Sequence, residues 1–280
     1  MFLIAFNKEN PIMNVIHTFV TVARILTARG NKRAILIREN QISIYHTRAL
    51  ASYVIRWLPL RLEQIFKFNH TDKHSSNGHR YAPHYQLFFK EFRWKRIKLL
   101  EIGIGGYAEW IGGQSINSWR CYFPFAKIVA CDIQDKSMLS VPGVKIYQVD
   151  QSNDDDLKTV VKNEKKFDII IDDGSHLNAH QIYTFKNLFS SLANGGLYVI
   201  EDIQTSYWPE WGGQSLGQPG TTCMTYFLEL THYLNSCEFL SDAIIKDELN
   251  ELASQISTIS FHHNLIFVKK DTQVKISNSV

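Results

Sequence analysis

Apolar residues recur at helical intervals between Ile12 and Leu26 (Ile12, Val15, Ile16, Phe19, Val20, Val22, Ala23, Ile25, Leu26), and Gly30 supplies a stop signal, so residues 12–28 read as a helix. Ala34–Tyr45 is a short run rich in β-branched residues. Ala49–Phe68 is apolar with Arg48, Arg56, Arg61 and Lys67 spread along it, the pattern of an amphipathic helix. Asn69–Tyr85 is rich in His, Ser, Asn and Gly and has no regular period; it reads as a loop of a length that tends to be functional or disordered. From Lys98 the rhythm changes. Short apolar runs at Lys98–Ile102, Lys127–Asp132, Val144–Val149, Asp168–Ile171 and Leu197–Ile200 alternate with helix candidates at Ser115–Phe123, Asp154–Asn163 and Ala179–Ser191. Strands alternating with helices predict an α/β fold, a mostly parallel sheet with right-handed crossovers and helices on both faces. After Trp211 the pattern predicts helices at Thr222–Leu234 and Leu240–Leu252. Two strand-like runs, Ser257–Phe261 and Asn264–Lys269, then lie close enough to pair as an antiparallel hairpin at the sheet edge.

Composition narrows the class. The 280 residues are 45% hydrophobic and 20% charged, an ordinary globular balance that argues against wholesale disorder. Cys121, Cys131, Cys223 and Cys237 contain no C-x-x-C pair, which leaves neither a disulfide framework nor a zinc knuckle and suits free thiols in a reducing cytoplasm. Met1–Pro11 lacks the pattern of a secretory leader, and no run of about eighteen apolar residues suggests a spanning helix. The net charge of +3 hides an asymmetry: residues 1–100 carry 17 Lys/Arg against 5 Asp/Glu, and residues 101–280 carry 13 against 22. A basic N-terminal part therefore joins an acidic body. A solvated or subunit-facing surface is the first expectation for the basic part, and a homo-oligomer fits it. Peripheral contact with an anionic membrane or an anionic acceptor comes second. No nucleic-acid motif accompanies the charge, so nucleic acid is not expected as a partner.

The chemistry concentrates at strand ends. Leu99-Leu100-Glu101-Ile102-Gly103-Ile104-Gly105-Gly106 is a strand running into a glycine-rich turn, where positive φ and close approach of a ligand to the backbone are both available. The spacing departs from G-x-G-x-x-G, with Ala108 in the third position, so alone it is equally an ordinary turn. Asp132 ends the next strand, where a carboxylate can grip ribose hydroxyls, and Asp150-Gln151-Ser152 follows the third; together they place a nucleoside site at the carboxyl edge of the sheet. The fourth strand runs into Asp172-Asp173-Gly174-Ser175-His176 and the fifth into Glu201-Asp202. If the two strands are neighbours, about 4.8 Å apart, four carboxylates and a histidine crowd one corner. Such carboxylates repel unless a cation neutralises them or some bind protons, and oxygen ligands select a hard cation such as Mg²⁺. Helix N-caps are the alternative use of the acids, and a surface position is the alternative for His176.

These runs carry a family resemblance. Thr71-Asp72-Lys73, the Leu100–Tyr107 turn, Gly112-Gly113-Gln114-Ser115 with Trp119 and Tyr122-Phe123-Pro124, Asp150-Gln151-Ser152, Ile171–His176, Tyr198–Thr205 through Trp208-Pro209, and Phe261-His262-His263-Asn264 occur in one order. In that order they resemble the class I S-adenosylmethionine-dependent methyltransferases, of Rossmann-like fold. More narrowly they resemble the Mg²⁺-dependent macrolide deoxysugar O-methyltransferases of the mycinamicin and tylosin pathways. The resemblance implies S-adenosyl-L-methionine bound by Glu101, Gly103, Gly105, Tyr107, Ser115, Asp132, Asp150, Gln151 and Ser152, with Thr71 on a lid. It implies Mg²⁺ held by Asp173, Glu201 and Asp202, with His176 as the base. The expected division is a basic extension at residues 1–68, a cofactor-covering segment at 69–97 and the methyltransferase domain at 98–280. The macrolide enzymes carry a larger auxiliary domain where this chain has its basic extension.

The function expected from this resemblance is metal-assisted O-methylation of a sugar hydroxyl, on a glycosylated natural product or glycan. A catechol-like or other phenolic acceptor is the alternative within the fold; the Asp-Gly-Ser-His turn resembles the sugar enzymes instead. A nicotinamide-dependent oxidoreductase is disfavoured by the glycine spacing, and a silent nucleoside-binding module by the concentration of Asp173, His176, Glu201 and Asp202.

Overall fold

The computed structural model describes residues 33–75, 78–106 and 111–271; the helix expected at residues 12–28 and the site candidate Tyr107 lie outside the described residues. Seven strands form one sheet: β1 (Lys98–Ile102), β2 (Lys127–Asp132), β3 (Val144–Gln148), β4 (Phe167–Asp172), β5 (Leu192–Glu201), β6 (Ile256–His262) and β7 (Leu265–Lys270), in the order β3-β2-β1-β4-β5-β7-β6. β1, β4 and β5 run parallel, whereas β7 enters antiparallel beside β5 and carries β6 antiparallel on its outer edge. The C-terminal runs thus form the expected edge hairpin. The sheet is mostly parallel, with helices around it. Between β1 and its neighbours the strand order reverses direction, the topological switch point at which open α/β sheets bind ligands outside the carboxyl ends of their strands.

The central strands form because their residues are apolar on both faces. In Lys98–Ile102 only Lys98 is not buried, and in Phe167–Asp172 only Asp168. Such strands are stable only with cover on both sides. Their lower edge is tied by side chains: the Lys98 N–H donates to Asp168 Oδ2 (2.7 Å), and Lys98 Nζ meets Glu164 Oε2 at 3.1 Å.

The chain divides into two compact units. One comprises Met1–Arg96, Ile104–Ile128 and Asp135–Ile146; the other comprises Ile97–Gly103, Val129–Gln134 and Tyr147–Val280. In the first, α1 (Arg33–Ile55), α2 (Leu62–Asn69), α3 (Ala82–Phe89) and α4 (Gln114–Tyr122) gather around Trp119. The Trp119 ring lies 5.2 Å from Phe66, 5.2 Å from Tyr85 and 5.6 Å from Phe89, centroid to centroid. The β-branched run Ala34–Tyr45 is helical, not extended. Tyr45, Ala49, Ser52 and Ile55 are buried at helical spacing along α1, so tertiary packing overrides the weak local preference. The expected continuous helix over Ala49–Phe68 is instead two helices, broken at Pro59, which disfavours helical geometry in the residue before it. Arg93 holds the break by donating to the carbonyls of Leu58 (2.7 Å) and Leu60 (2.8 Å). The expected loop Asn69–Tyr85 gives way to α3 at Ala82. Lys136, buried, donates to the carbonyls of Gly106 and Ile111 and so joins the two ends of the 107–110 segment.

In the second unit, α5 (Asp154–Glu164), α6 (Asn178–Leu188), α7 (Cys223–Tyr233) and α8 (Asp247–Ser254) accompany the sheet. Asn153 caps α5, its Oδ1 accepting from the Asp155 and Asp156 N–H groups. The helix expected over Leu240–Leu252 starts only at Asp247. Phe185, Phe189, Tyr198 and Phe227 form the aromatic centre of this core. Among the described residues no helix is long and apolar enough to cross a membrane.

Two consequences of burial are measurable. Cys121, Cys131 and Cys223 are buried and Cys237 is exposed; burial pushes the Cys121 thiol up to about 12 and raises Cys131 and Cys223 as well. Thiolates are the reactive form. The native protein should therefore expose a single fast-reacting thiol to an aromatic disulfide reagent at pH 8, lost in Cys237→Ser, and all four only in denaturant. Burial likewise pushes the Asp172 carboxyl from an ordinary 3.8 to about 7. Between these values the native state holds a proton that the unfolded chain has released, so this contribution to stability is full below about pH 4 and lost as the pH rises through 7. In chelator, Asp172→Asn should flatten the fall in the denaturation midpoint between about pH 4 and 7.

Candidate active site

The register of β4 and β5 decides what meets at their ends. Asp172 is level with Ile200, so Asp173 leaves β4 beside the point where Glu201 ends β5 and Asp202 turns away. Asp173, His176 and Asp202 come together: one ligand atom from each lies within 4.8 Å of the others. His176 Nε2 stands 3.4 Å from Asp202 Oδ2, and the buried His176 Nδ1 has no hydrogen-bond partner among the described residues. The imidazole also lies 6.2 Å from the Trp211 ring, centroid to centroid. Glu201 is buried at the end of β5 but does not join this group.

The backbone here is held in a costly shape. His176 (φ 56°) and Asp202 (φ 55°) both adopt the left-handed conformation, which costs about 1–3 kcal/mol at a non-glycine residue and persists only where the surroundings enforce it. Two glycines make those surroundings possible. A Cβ on Gly103 would lie 2.0 Å from the Asp173 carbonyl oxygen, and one on Gly174 would lie 1.9 Å from Gln151 Oε1. The β1 turn therefore presses directly on the β4 turn. The Asp173 N–H donates to the Ile102 carbonyl (2.9 Å) and the Gly103 N–H to the Cys131 carbonyl (2.8 Å), joining the ends of β4, β1 and β2.

The other candidates of this unit sit at neighbouring strand ends. Glu101 is buried in β1. Asp132 ends β2 and accepts from the Gln134 N–H (2.9 Å). Asp150 accepts from the Ser152 N–H (2.9 Å) and Oγ (2.7 Å), which holds its carboxyl below the usual range. Gln151 turns inward to Asp172, Thr184 and Ser175. Thr71, Gly105 and Ser115 belong to the other unit, where Thr71 Oγ1 donates to Asp72 Oδ1 and Ser115 lies in the first turn of α4.

Sequence reasoning missed Asn178 and Gln181. Asn178, buried in the first turn of α6, donates to the Thr205 and Trp211 carbonyls and accepts from Ser206 Oγ and the Cys223 N–H, which fixes the loop after β5. Gln181 Nε2 donates to the Glu201 carbonyl (2.9 Å). Polar residues at helical spacing with the buried Phe185 and Leu188 were their signal.

This corner fits a hard divalent cation. The ligand atoms, all within 4.8 Å of one another, are close enough together to be held by one ion. Carboxylate oxygens dominate the donor set, and His176 Nδ1 has no hydrogen-bond partner among the described residues.

No family model matches the chain. Mycinamicin VI 2''-O-methyltransferase of Micromonospora griseorubida is 38% identical over 204 residues, covering 69% of this chain and 48% of that protein. Demethylmacrocin O-methyltransferase of Streptomyces fradiae is 37% identical over 202 residues, covering 69% and 49%. Among solved structures, the MycE methyltransferase of mycinamycin biosynthesis in complex with Mg and SAH superposes with a TM-score of 0.71 at 34% identity, over 76% of this chain and 55% of that one. The chain thus spans about half the length of the curated relatives it matches. Over its matched residues, the chain belongs to the class I methyltransferase family represented by these deoxysugar O-methyltransferases.

Proposed function

We propose that the chain is an S-adenosylmethionine-dependent, Mg²⁺-assisted O-methyltransferase acting on a sugar hydroxyl of a glycosylated natural product or glycan. The observation that carries this reading is the meeting of Asp173, His176 and Asp202 at the carboxyl ends of adjacent parallel strands. Similarity to a methyltransferase named for a rhamnosyl tetracenomycin C, and to MycE solved with Mg, SAH and mycinamycin VI, supports the acceptor class.

In this reading Asp173 and Asp202 hold the cation, and Glu201, buried at the end of β5 outside their group, reaches it only by a change of side-chain direction once the cation is bound. When bound, the cation supplies positive charge that lowers the pKa of a nearby hydroxyl and orients its oxygen. His176 accepts the hydroxyl proton, and Asp202, 3.4 Å from Nε2, orients the ring. Glu101, Gly103 and Asp132 shape the cofactor end: the Gly103 turn lets a ligand approach the backbone, and Asp132 offers a carboxylate to ribose hydroxyls. Asp150 and Ser152, already bonded to one another, form the rim beyond β3. Methyl transfer itself is then chiefly a matter of aligning oxygen, methyl and sulfur. The same reading makes the protein a cytoplasmic homo-oligomer. Free thiols suit a reducing compartment, and the exposed Leu50, Tyr53 and Val54 on α1, with Trp57 just beyond its end, suit a subunit contact.

With a deoxysugar macrolide as acceptor, chelation should abolish turnover and Mg²⁺ or Mn²⁺ should restore it. Asp173→Ala and Asp202→Ala should lose metal binding and nearly all activity while calorimetry still registers S-adenosylmethionine. His176→Ala should keep both ligands and lose about 10²–10⁴-fold in rate. Full turnover in excess chelator would refute the metal assignment, and an unimpaired His176→Ala enzyme would remove the base.

A further inference from the structure

Gln151 lies between two candidate cofactor residues, yet its side chain does not face the way theirs do. It is buried, and its amide is consumed from three sides. Nε2 donates to Asp172 Oδ1 (3.2 Å) and to Thr184 Oγ1 (3.1 Å), and Oε1 accepts from the Ser175 N–H at 2.6 Å. A primary amide has two N–H donors, and both are committed. No donor remains for a ribose, a carboxylate or an adenine.

Those three bonds join the loop after β3, the end of β4, the turn after β4 and the middle of α6. They act on the segment that carries the chemistry. Asp173 and His176 flank Ser175 within two residues, and His176 is in the left-handed conformation that the surroundings must enforce. The Asp173 end of the turn is fixed by the Ile102 carbonyl, and Ser175 Oγ by His180 Nδ1 at 2.9 Å. The Ser175 backbone is fixed by Gln151. The absent side chain of Gly174 is what lets the amide close on the turn, since a Cβ there would stand 1.9 Å from Oε1. Asparagine would be too short to span these partners, and glutamate would lack both donors.

We infer that Gln151 is a positioning residue: its amide braces the Asp173–His176 turn, acting on cation and proton transfer through that turn rather than binding the methyl donor. The metal half of this inference rests on the proposed function; the brace itself does not.

The test uses the full chain and Gln151→Met, which keeps the volume and removes all three hydrogen bonds. Hydrogen exchange across residues 172–178 reads the brace directly, and the Ser175 amide should exchange faster in the variant. Mn²⁺ affinity, from the electron paramagnetic resonance signal of free ion, should fall about 10–100-fold, the range typical of partners that orient metal ligands. The turnover number should fall while the S-adenosylmethionine KM and calorimetric affinity stay within about twofold. Gln151→Glu, which keeps an acceptor for the Ser175 N–H, should recover slow exchange. If Gln151→Met does not fold, Thr184→Val, which removes one acceptor at constant volume, should show the same losses to a smaller degree. Weaker S-adenosylmethionine binding with unchanged Mn²⁺ affinity and unchanged Ser175 exchange would overturn the inference and return Gln151 to the cofactor. Should the wild-type protein bind no Mn²⁺, the metal assignment fails, and Ser175 exchange alone then supports or overturns the brace.

Discussion

Parallel pairing of β4 with β5 is the constraint from which the rest of the site follows. Strands paired side by side bring their ends within about 5 Å, whatever residues those ends carry. In this chain both ends are acidic, and the register sets Asp173 level with Glu201. Burying carboxylates at that spacing is unfavourable unless a cation, a proton or a donor compensates. The chain uses different compensations for different acids. Asp172 lies inside, with Gln151 and the Gly174 N–H as donors and a carboxyl that burial raises to about 7. Asp173, half-buried, and Asp202, buried, meet His176.

A fold with two left-handed residues at its candidate site has to support them. His176 and Asp202 are held by contacts that originate on four other segments: the β1 turn through Gly103, the β3 loop through Gln151, α6 through Asn178 and Gln181, and the loop after β5 through Trp211. Each contact is a modest hydrogen bond or a steric stop. Together they over-determine a turn that isolated sequence preferences would not adopt. The apolar sheet below, buried on both faces, is what allows those contacts to be rigid.

How much of this could be read from the residues follows from the kind of information each feature needs. β1, β2 and β4 were legible nearly to the residue because a fully buried strand writes itself as a short apolar run. The acidic corner was legible because strand ends were, and neighbouring strands put their ends together. Helix α1 was harder, since its β-branched residues favour extended structure locally, whereas the helix packs against α4. The participation of His176 in the three-residue group, and the position of Glu201 outside it, depends on side-chain direction beyond a left-handed turn. Gln151 looked like its neighbours Asp150 and Ser152; only the fold shows that it faces inward. Asn178 and Gln181 carry no motif at all.

The claim at the centre of this account is that the ends of β4 and β5 form one cation site. Anomalous diffraction from a crystal of the chain grown with Mn²⁺ tests it most directly. A single strong peak between the carboxylates of Asp173 and Asp202, absent from an Asp202→Ala crystal, is the expected result. A map with no peak at that corner, or with its peak bound by other residues, would contradict the account.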